Sequence, residues 1–276
     1  LKGDENMVRS AEKPASRRLV VERYTWLERV THLVHLISMF VLLITGFKIY
    51  TGWGFMSFES ARALHMIAVP FFLVANWLLV PYNIFSCKEE HCSIGDRLYH
   101  FKESYLFGKD DAERLLDIIK NFFGKGEYPA FTVYDERKGH YVTKLHPGMK
   151  LLLIFESTAI VLVALTGIVL YSLTWSPFGI PVSEWILSIS WFFASMINMD
   201  GLALIRYLHL LAAYWFVLEL IIHVGILELD PDAWKYHKAI FWSGNEDLSD
   251  RHFVKVIEEK DQVGTLADQK RLLEEQ

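Results

Sequence analysis

The sequence predicts an all-α membrane protein: a four-transmembrane-helix bundle with an interfacial helix and cytoplasmic extensions. Three observations predict it. Of the 276 residues, 52% are hydrophobic, and they gather into four long runs separated by polar segments. Positive charge alternates from one connecting segment to the next. Histidines stand inside or at the mouths of the apolar runs, where a polar side chain is costly and is kept for a task.

The runs are Val30–Tyr50, Leu64–Phe85, Met149–Leu173 and Leu204–Leu227. A hydrocarbon core of about 30 Å needs roughly 20 residues of helix, and each run meets that length with few charges. The first is too long for a secretory signal and has no small-residue cleavage site. Residues 1–29 hold seven Lys or Arg, 86–148 hold ten and 228–276 hold seven; 51–63 hold only Arg62, and 174–203 hold none. Positive connections stay in the cytoplasm, so both termini and the middle loop are expected there, in a cell inner (cytoplasmic) membrane. The chain then divides into an arm (1–28), a bundle (29–229) that includes the loop 86–148, and a tail (230–276). Val182–Met199 is apolar and tryptophan-rich and competes as a fifth crossing. Glu184 and Asn198 at its ends, with Trp185 and Trp191, favour an interfacial helix.

The remaining segments are polar. The first twenty residues read as an arm without apolar periodicity. Within the loop, Leu115, Leu116, Ile118, Ile119, Phe122 and Phe123 predict an amphipathic helix over Asp111–Phe123, capped by Asp110 or Asp111 and stopped by Gly124 and Gly126. It would lie on the membrane surface or dock a partner. Residues 126–139 read as loop, and Leu266–Gln276 as a short solvated helix. Cys87 and Cys92 read as reduced thiols; with His91 they offer three ligands and no fourth for a zinc site. His91, His100, His140, His237 and His252 lie in hydrophilic segments and read as surface residues. The chain has no nucleotide-binding loop, nucleophile elbow or His-Glu-x-x-His motif, and nothing points to a nucleic-acid partner.

The informative pattern is an arginine three residues before a histidine, found three times: Arg29/His32, Arg62/His65 and Arg206/His209. His223 follows His209 by fourteen residues, roughly 21 Å along one helix and about 40° short of register. The two imidazoles leave one face of the helix near opposite membrane surfaces, too far apart for one zinc ion. With four crossings, His32 lies level with His223 near the cytoplasmic face, and His65 lies level with His209 near the outer face. Facing neutral imidazoles in an apolar bundle form the axial set of a b-type haem, so two haem b sites are expected. His35, one turn deeper than His32, is the rival ligand. Arg29, Arg62 and Arg206, one turn nearer the surface, suit the haem propionates or lipid phosphate. Gly46 and Gly167 would let a macrocycle approach the helices. His146 and Lys150, at the start of the third run, are placed to serve a quinone, and Glu156 and Glu219 are intramembrane acids.

On these residues the chain resembles the cytochrome b subunit family of membrane-bound nickel–iron hydrogenases and respiratory formate dehydrogenases. The resemblance covers roughly Tyr24–Phe253 and rests on Arg29-x-x-His32 with Thr45-Gly46, Arg62-x-x-His65, Arg206-x-x-His209 leading to His223, and Lys144-Leu-His-Pro-Gly-Met-Lys150. Leu33 stands where the family often has tryptophan. The resemblance implies His32, His65, His209 and His223 as iron ligands. It also implies an iron–sulfur subunit and a catalytic subunit as partners, and a menaquinone-like quinone as acceptor. Electrons would run from the outer haem to the inner one, and quinone reduction with cytoplasmic protons would separate charge. The same parts run backwards in a quinol-oxidising subunit, and a cofactorless anchor is the remaining alternative.

Overall fold

The computed structural model describes residues 19–86, 93–228, 233–249 and 254–257. The arm over 1–18, Cys87, His91, Cys92, His252 and the helix expected at Leu266–Gln276 lie outside the described residues.

The chain enters through β1 (Val20–Glu22) and turns into α1 (Trp26–Thr51) at Thr25. Thr25 Oγ1 accepts from the Glu28 N–H at 3.1 Å, while Glu28 accepts from the Thr25 N–H at 2.8 Å; this reciprocal cap satisfies two otherwise orphaned amides. Gly52 ends the helix at φ 72°, a left-handed position that a side chain would strain. Ser57 caps α2 (Phe58–Val74). Pro81 has no N–H to continue the helical ladder, and just before it Ala75–Leu79 widens into a π-helical turn, closed by the Val80 N–H on the Ala75 carbonyl. The helix resumes as α3 (Val80–Phe85), so one crossing runs from Phe58 to Phe85.

After α4 (Ile94–Tyr105), α5 (Lys109–Phe122), β2 (Thr132–Asp135) and β3 (His140–Thr143), the chain enters α6 (Pro147–Tyr171). Proline opens α6 at a position where an N–H would go unused. A short α7 (Val182–Ser195) precedes α8 (Gly201–Glu228). Four helices are long and apolar enough to span a membrane: Trp26–Thr51, Phe58–Phe85, Pro147–Tyr171 and Gly201–Gly225. α7 has 14 residues, about 21 Å of helix, short of a bilayer core of about 30 Å. It packs against α6 and α8 instead. Ser190 donates to the Gly201 carbonyl at 2.7 Å, and a Cβ on Gly201 would meet the Trp191 ring at 2.7 Å, so glycine is what lets α8 start against α7.

The bundle consists of two hairpins, α1 packed along α2 and α6 packed along α8. They meet at a waist where Met39, Phe72, Ala159, Ile160, Ala212 and Phe216 are buried together, with Phe72 edge-on to Phe216 at 5.8 Å.

One end of the bundle carries a cap. α9 (Trp234–Lys238) runs into a second π turn (Ala239–Ser243), then β4 (Asn245–Asp247) and β5 (Val254–Ile257). β1 pairs antiparallel with β4; β2 pairs antiparallel with β3 and parallel with β5. The segments before α1, between α3 and α6, and after α8 therefore meet at one end, as an even number of crossings requires. Arg23 is the central cation of the cap. Its guanidinium donates to Glu246 at 2.6 Å and to the Lys144 carbonyl, and it lies over the Tyr236 ring at 4.3 Å.

The cap corrects the all-α expectation. The bundle is helical, but residues 126–139, expected as loop, include β2, and β2 is hydrogen-bonded to β5 far along the chain. α4 is also an addition. The amphipathic helix is present as α5; its Asp111 accepts from the Gly108 N–H at 3.0 Å, and Leu116, Ile119, Phe122 and Phe123 are exposed.

Candidate functional site

The four histidines form two pairs above and below the waist. His32 on α1 faces His223 on α8 with ring centroids 6.4 Å apart. His65 on α2 faces His209 on α8 at 6.5 Å. A direct hydrogen bond between imidazoles would bring the centroids to roughly 5 Å. With metal–nitrogen bonds of about 2 Å, one metal between two axial imidazoles sets them roughly 6.3 Å apart. The pairs therefore have the spacing of a shared metal. His32/His223 lies at the cap end and is called the cap-side pair; His65/His209 is the distal pair.

Each distal imidazole has a fixed orientation. Thr45 Oγ1 lies 3.0 Å from His65 Nδ1 and donates to the Val41 carbonyl at 2.6 Å. Thr166 Oγ1 lies 2.8 Å from His209 Nδ1 and donates to the Leu162 carbonyl at 2.6 Å. A hydroxyl has one hydrogen. With that hydrogen on the helix carbonyl, each threonine accepts from Nδ1–H, so Nε2 of both histidines keeps the lone pair a metal needs. The glycine after each threonine faces the same ring: a Cβ on Gly46 would stand 3.4 Å from His65 Cε1, and one on Gly167 3.6 Å from His209 Cε1. The dipeptides Thr45-Gly46 and Thr166-Gly167 thus do one job in two hairpins. The sequence singled out both glycines and quoted Thr45 beside Gly46 without a role for it, and left Thr166 unnamed; the repeated Thr-Gly, each pair in the second half of its helix, was the signal.

The cap-side pair is built differently. His32 Nδ1 is buried without a hydrogen-bond partner among the described residues, and its ring packs edge-on against Phe241 at 5.5 Å. His35, the rival ligand, turns elsewhere: its Nδ1 lies 3.0 Å from Asn76 Oδ1 and its Nε2 lies 3.4 Å from Glu156.

The three arginines separate. Arg62 and Arg206 are exposed beside the distal pair, with no hydrogen bond to protein shown among the described residues. Arg29 instead donates to the carbonyls of Ile240, Phe241 and Trp242 at 3.2, 3.4 and 2.6 Å. It satisfies the end of the second π turn, whereas the sequence expects it at a propionate.

His146 and Lys150, expected at a quinone, also have structural partners. Lys150 is buried, donating to both Asp111 oxygens at 2.9 and 3.0 Å and to the Glu103 carbonyl at 2.6 Å; it fastens α4 and α5 to α6. His146 caps α6, its Nδ1 accepting from the Gly148 N–H at 3.0 Å, while Nε2 meets the Tyr128 hydroxyl at 3.1 Å. Burial pushes the His146 imidazole down to about 4. Trp234, His237, Lys238 and Trp242 line an open groove of about 340 Å³, and Phe241 links it to His32: its ring lies 6.4 Å from His237.

The residues fit a haem at each pair. The ring spacing leaves room for one metal, the tautomers at the distal pair expose Nε2, and His32 has an unused buried nitrogen. Two histidine pairs share one helix, roughly 21 Å apart along its axis, in an apolar bundle, a spacing that suits electron transfer. Among the described residues no three His, Cys, Asp or Glu side chains form a metal cage.

No protein-family model matches the chain, and no solved structure does. The chain is 61% identical over 240 residues to the F420 non-reducing hydrogenase II cytochrome subunit of Methanosarcina mazei, a match spanning 87% of this chain and 88% of that protein. With four apolar helices long enough to cross a membrane and paired histidines inside them, this chain belongs to the family of hydrogenase-associated cytochrome b subunits.

Proposed function

We propose that this chain is the membrane electron conduit of a hydrogenase complex, holding two b haems and passing electrons from an iron–sulfur subunit to a membrane quinone. The observation that carries the reading is the ring separation of 6.4 and 6.5 Å in two histidine pairs. It is too long for a hydrogen bond and right for one metal. When bound, each haem supplies a reversible one-electron centre.

The chain's own residues do the rest. His32 and His223 ligate the cap-side iron, and His65 and His209 the distal one. Thr45 and Thr166 hold the distal imidazoles in the ligating tautomer. Arg62 and Arg206 meet the distal propionates. The waist residues keep water out between the two sites. The catalytic hydrogenase subunit and its iron–sulfur partner would dock at the distal end, outside an inner membrane whose cytoplasmic face holds the cap and both termini. The quinone, a flat lipophilic acceptor, would enter the groove of Trp234, His237, Lys238 and Trp242. Two tryptophans offer stacking walls and the His-Lys pair offers donors, whereas His146 and Lys150 are held by Tyr128 and Asp111. The relative directs the partner assignment to hydrogenase rather than formate dehydrogenase.

The test is a reduced-minus-oxidised spectrum with haem quantification on the purified chain. Two b haems per chain are expected. Absence of a b-type α-band ends the reading, and a ratio of one removes one of the pairs.

A further inference from the structure

Outside the spanning helices, α5 leaves large apolar side chains uncovered: Leu116 is 56% exposed, Ile119 46% and Phe123 71%. At about 100° per residue the residues of this helix fall into sectors. Asp111, Leu115 and Ile118 share the sector turned to α6, where Asp111 accepts from Lys150 at 2.9 Å. Lys109, Glu113, Asp117 and Lys120 point the opposite way. The two flanks between these sectors differ in kind. One carries Asp110, Arg114 and Asn121, and the other carries Leu116, Ile119 and Phe123. A helix with one polar and one apolar flank, seated against a spanning helix, suits a boundary between water and hydrocarbon.

That boundary lies at the level of α5. α6 has 25 residues, roughly 37 Å of helix against a hydrocarbon core of about 30 Å. Centred in the bilayer, it projects by roughly 4 Å at each end. Lys150, the fourth residue of α6, stands about 4.5 Å in from its start, so it ties α5 to α6 at the edge of the hydrocarbon. On the same face of α6, within about 60° of Lys150, Ile154, Val161 and Leu165 are exposed. On a spanning helix an exposed apolar strip meets lipid. α5 is therefore fastened over a lipid-facing strip.

We propose that α5 is an interfacial lipid anchor, with Leu116, Ile119 and Phe123 inserted at the acyl-chain boundary on the cap side of the bilayer, beside the exposed strip of α6. The occupant of this flank is lipid because the helix is tied where the lipid-facing strip begins. Lys109 pairs with Glu113 at 3.7 Å and Lys120 with Asp117 at 2.7 Å. The charges bordering the apolar flank thus come in pairs, and insertion rests on apolar area rather than on attraction to anionic headgroups. Lys150 also donates to the Glu103 carbonyl of α4 at 2.6 Å, so the anchor holds α4 and α5 together at the membrane surface. The proposal rests on α6 spanning the bilayer and is independent of the haem reading.

The experiment uses the full chain in phosphatidylcholine vesicles, carrying C87S and C92S and one environment-sensitive fluorophore attached at L116C, I119C or F123C. E113C reports on the charged side of α5, and L165C on the exposed strip of α6. Emission from the three α5 positions is expected to shift to the blue and to be lost to lipids brominated near the top of the acyl chain. E113C should stay open to quenching by aqueous iodide, and L165C should respond to bromine placed deeper. Iodide quenching at all three α5 positions as strong as at E113C overturns the proposal. So does shielding from iodide without quenching by bromine, which means that protein, a second copy or a partner, covers the flank. Quenching by bromine confined to anionic vesicles replaces insertion with charge attraction and overturns it as well. An L165C label that no brominated lipid reaches ends the reading of α6 as a spanning helix, and the anchor with it. The α5 labels stand at exposed positions, and the remaining two decide the matter if one variant fails to fold.

Discussion

The distal and cap-side histidine pairs have nearly the same ring spacing, 6.5 and 6.4 Å, yet they are held by different kinds of structure. The distal pair is set by the spanning helices alone. Each ring meets a threonine that is itself tied to its own helix backbone, a glycine stands beside each ring, and two exposed arginines lie one turn outward. The cap-side pair depends on the cap. Phe241 packs on His32, Arg29 ties down the turn that carries Phe241, and His32 Nδ1 has no hydrogen-bond partner among the described residues. One site is a property of helix packing; the other exists only when a distant piece of the chain folds over it.

Four measurements test that contrast. The largest effect should come from the ligands. H65A or H209A should remove one haem and H32A or H223A the other, each dropping the haem-to-chain ratio from about two to about one. A variant that loses both would show that the sites are not independent. Next is R29A, which uncovers three carbonyls at about 1 kcal/mol each. It should loosen the tail to proteolysis and broaden the cap-side haem spectrum, with the distal spectrum unchanged. Equal damage to both would erase the distinction.

T45V and T166V should act oppositely, shifting the distal potential by the equivalent of about 1 kcal/mol, one hydrogen bond, and sparing the cap-side one. Potentiometric titration would show it. The smallest effect concerns pH. Burial holds His146 near 4, and burial with Lys144 and His140 does the same for His100, whereas the unfolded imidazole titrates near 6.5. The unfolded chain therefore binds more protons between these values. Cap stability should be full above about 6.5 and fall as pH drops toward 4, and the cap-side haem should be disturbed before the distal one. H146Q should flatten that decline in thermal melts followed by tryptophan fluorescence; an unchanged decline would clear His146 of the effect.

Much of the bundle was legible in the chain. The lengths of the apolar runs, the charge alternation and the fourteen-residue step from His209 to His223 each depend on local helix geometry, whose rise does not vary with the neighbours. α7 was less legible: Val182–Met199 competed as a fifth crossing, and only Glu184, Asn198, Trp185 and Trp191 favoured an interfacial helix, whereas the helix itself has 14 residues. The β2–β3–β5 sheet was not legible. Its strands are four residues each, and β2 gains its parallel neighbour from a segment more than a hundred residues later. No local periodicity announces such a pairing.

Spacing along the chain thus set the four long apolar helices and which of the histidines inside them stand level, because rise per residue converts spacing directly into position along a helix. Partners at each level came from the packing of the helices and the cap. That packing directed His32 rather than His35 toward His223, His35 toward Asn76 and Glu156, Arg29 toward the tail carbonyls, and Lys150 toward Asp111. Depth is a one-dimensional quantity that a helix carries by itself. Which side chain completes a pair depends on rotation and contact between helices, and that is fixed by the packing of the whole bundle and its cap.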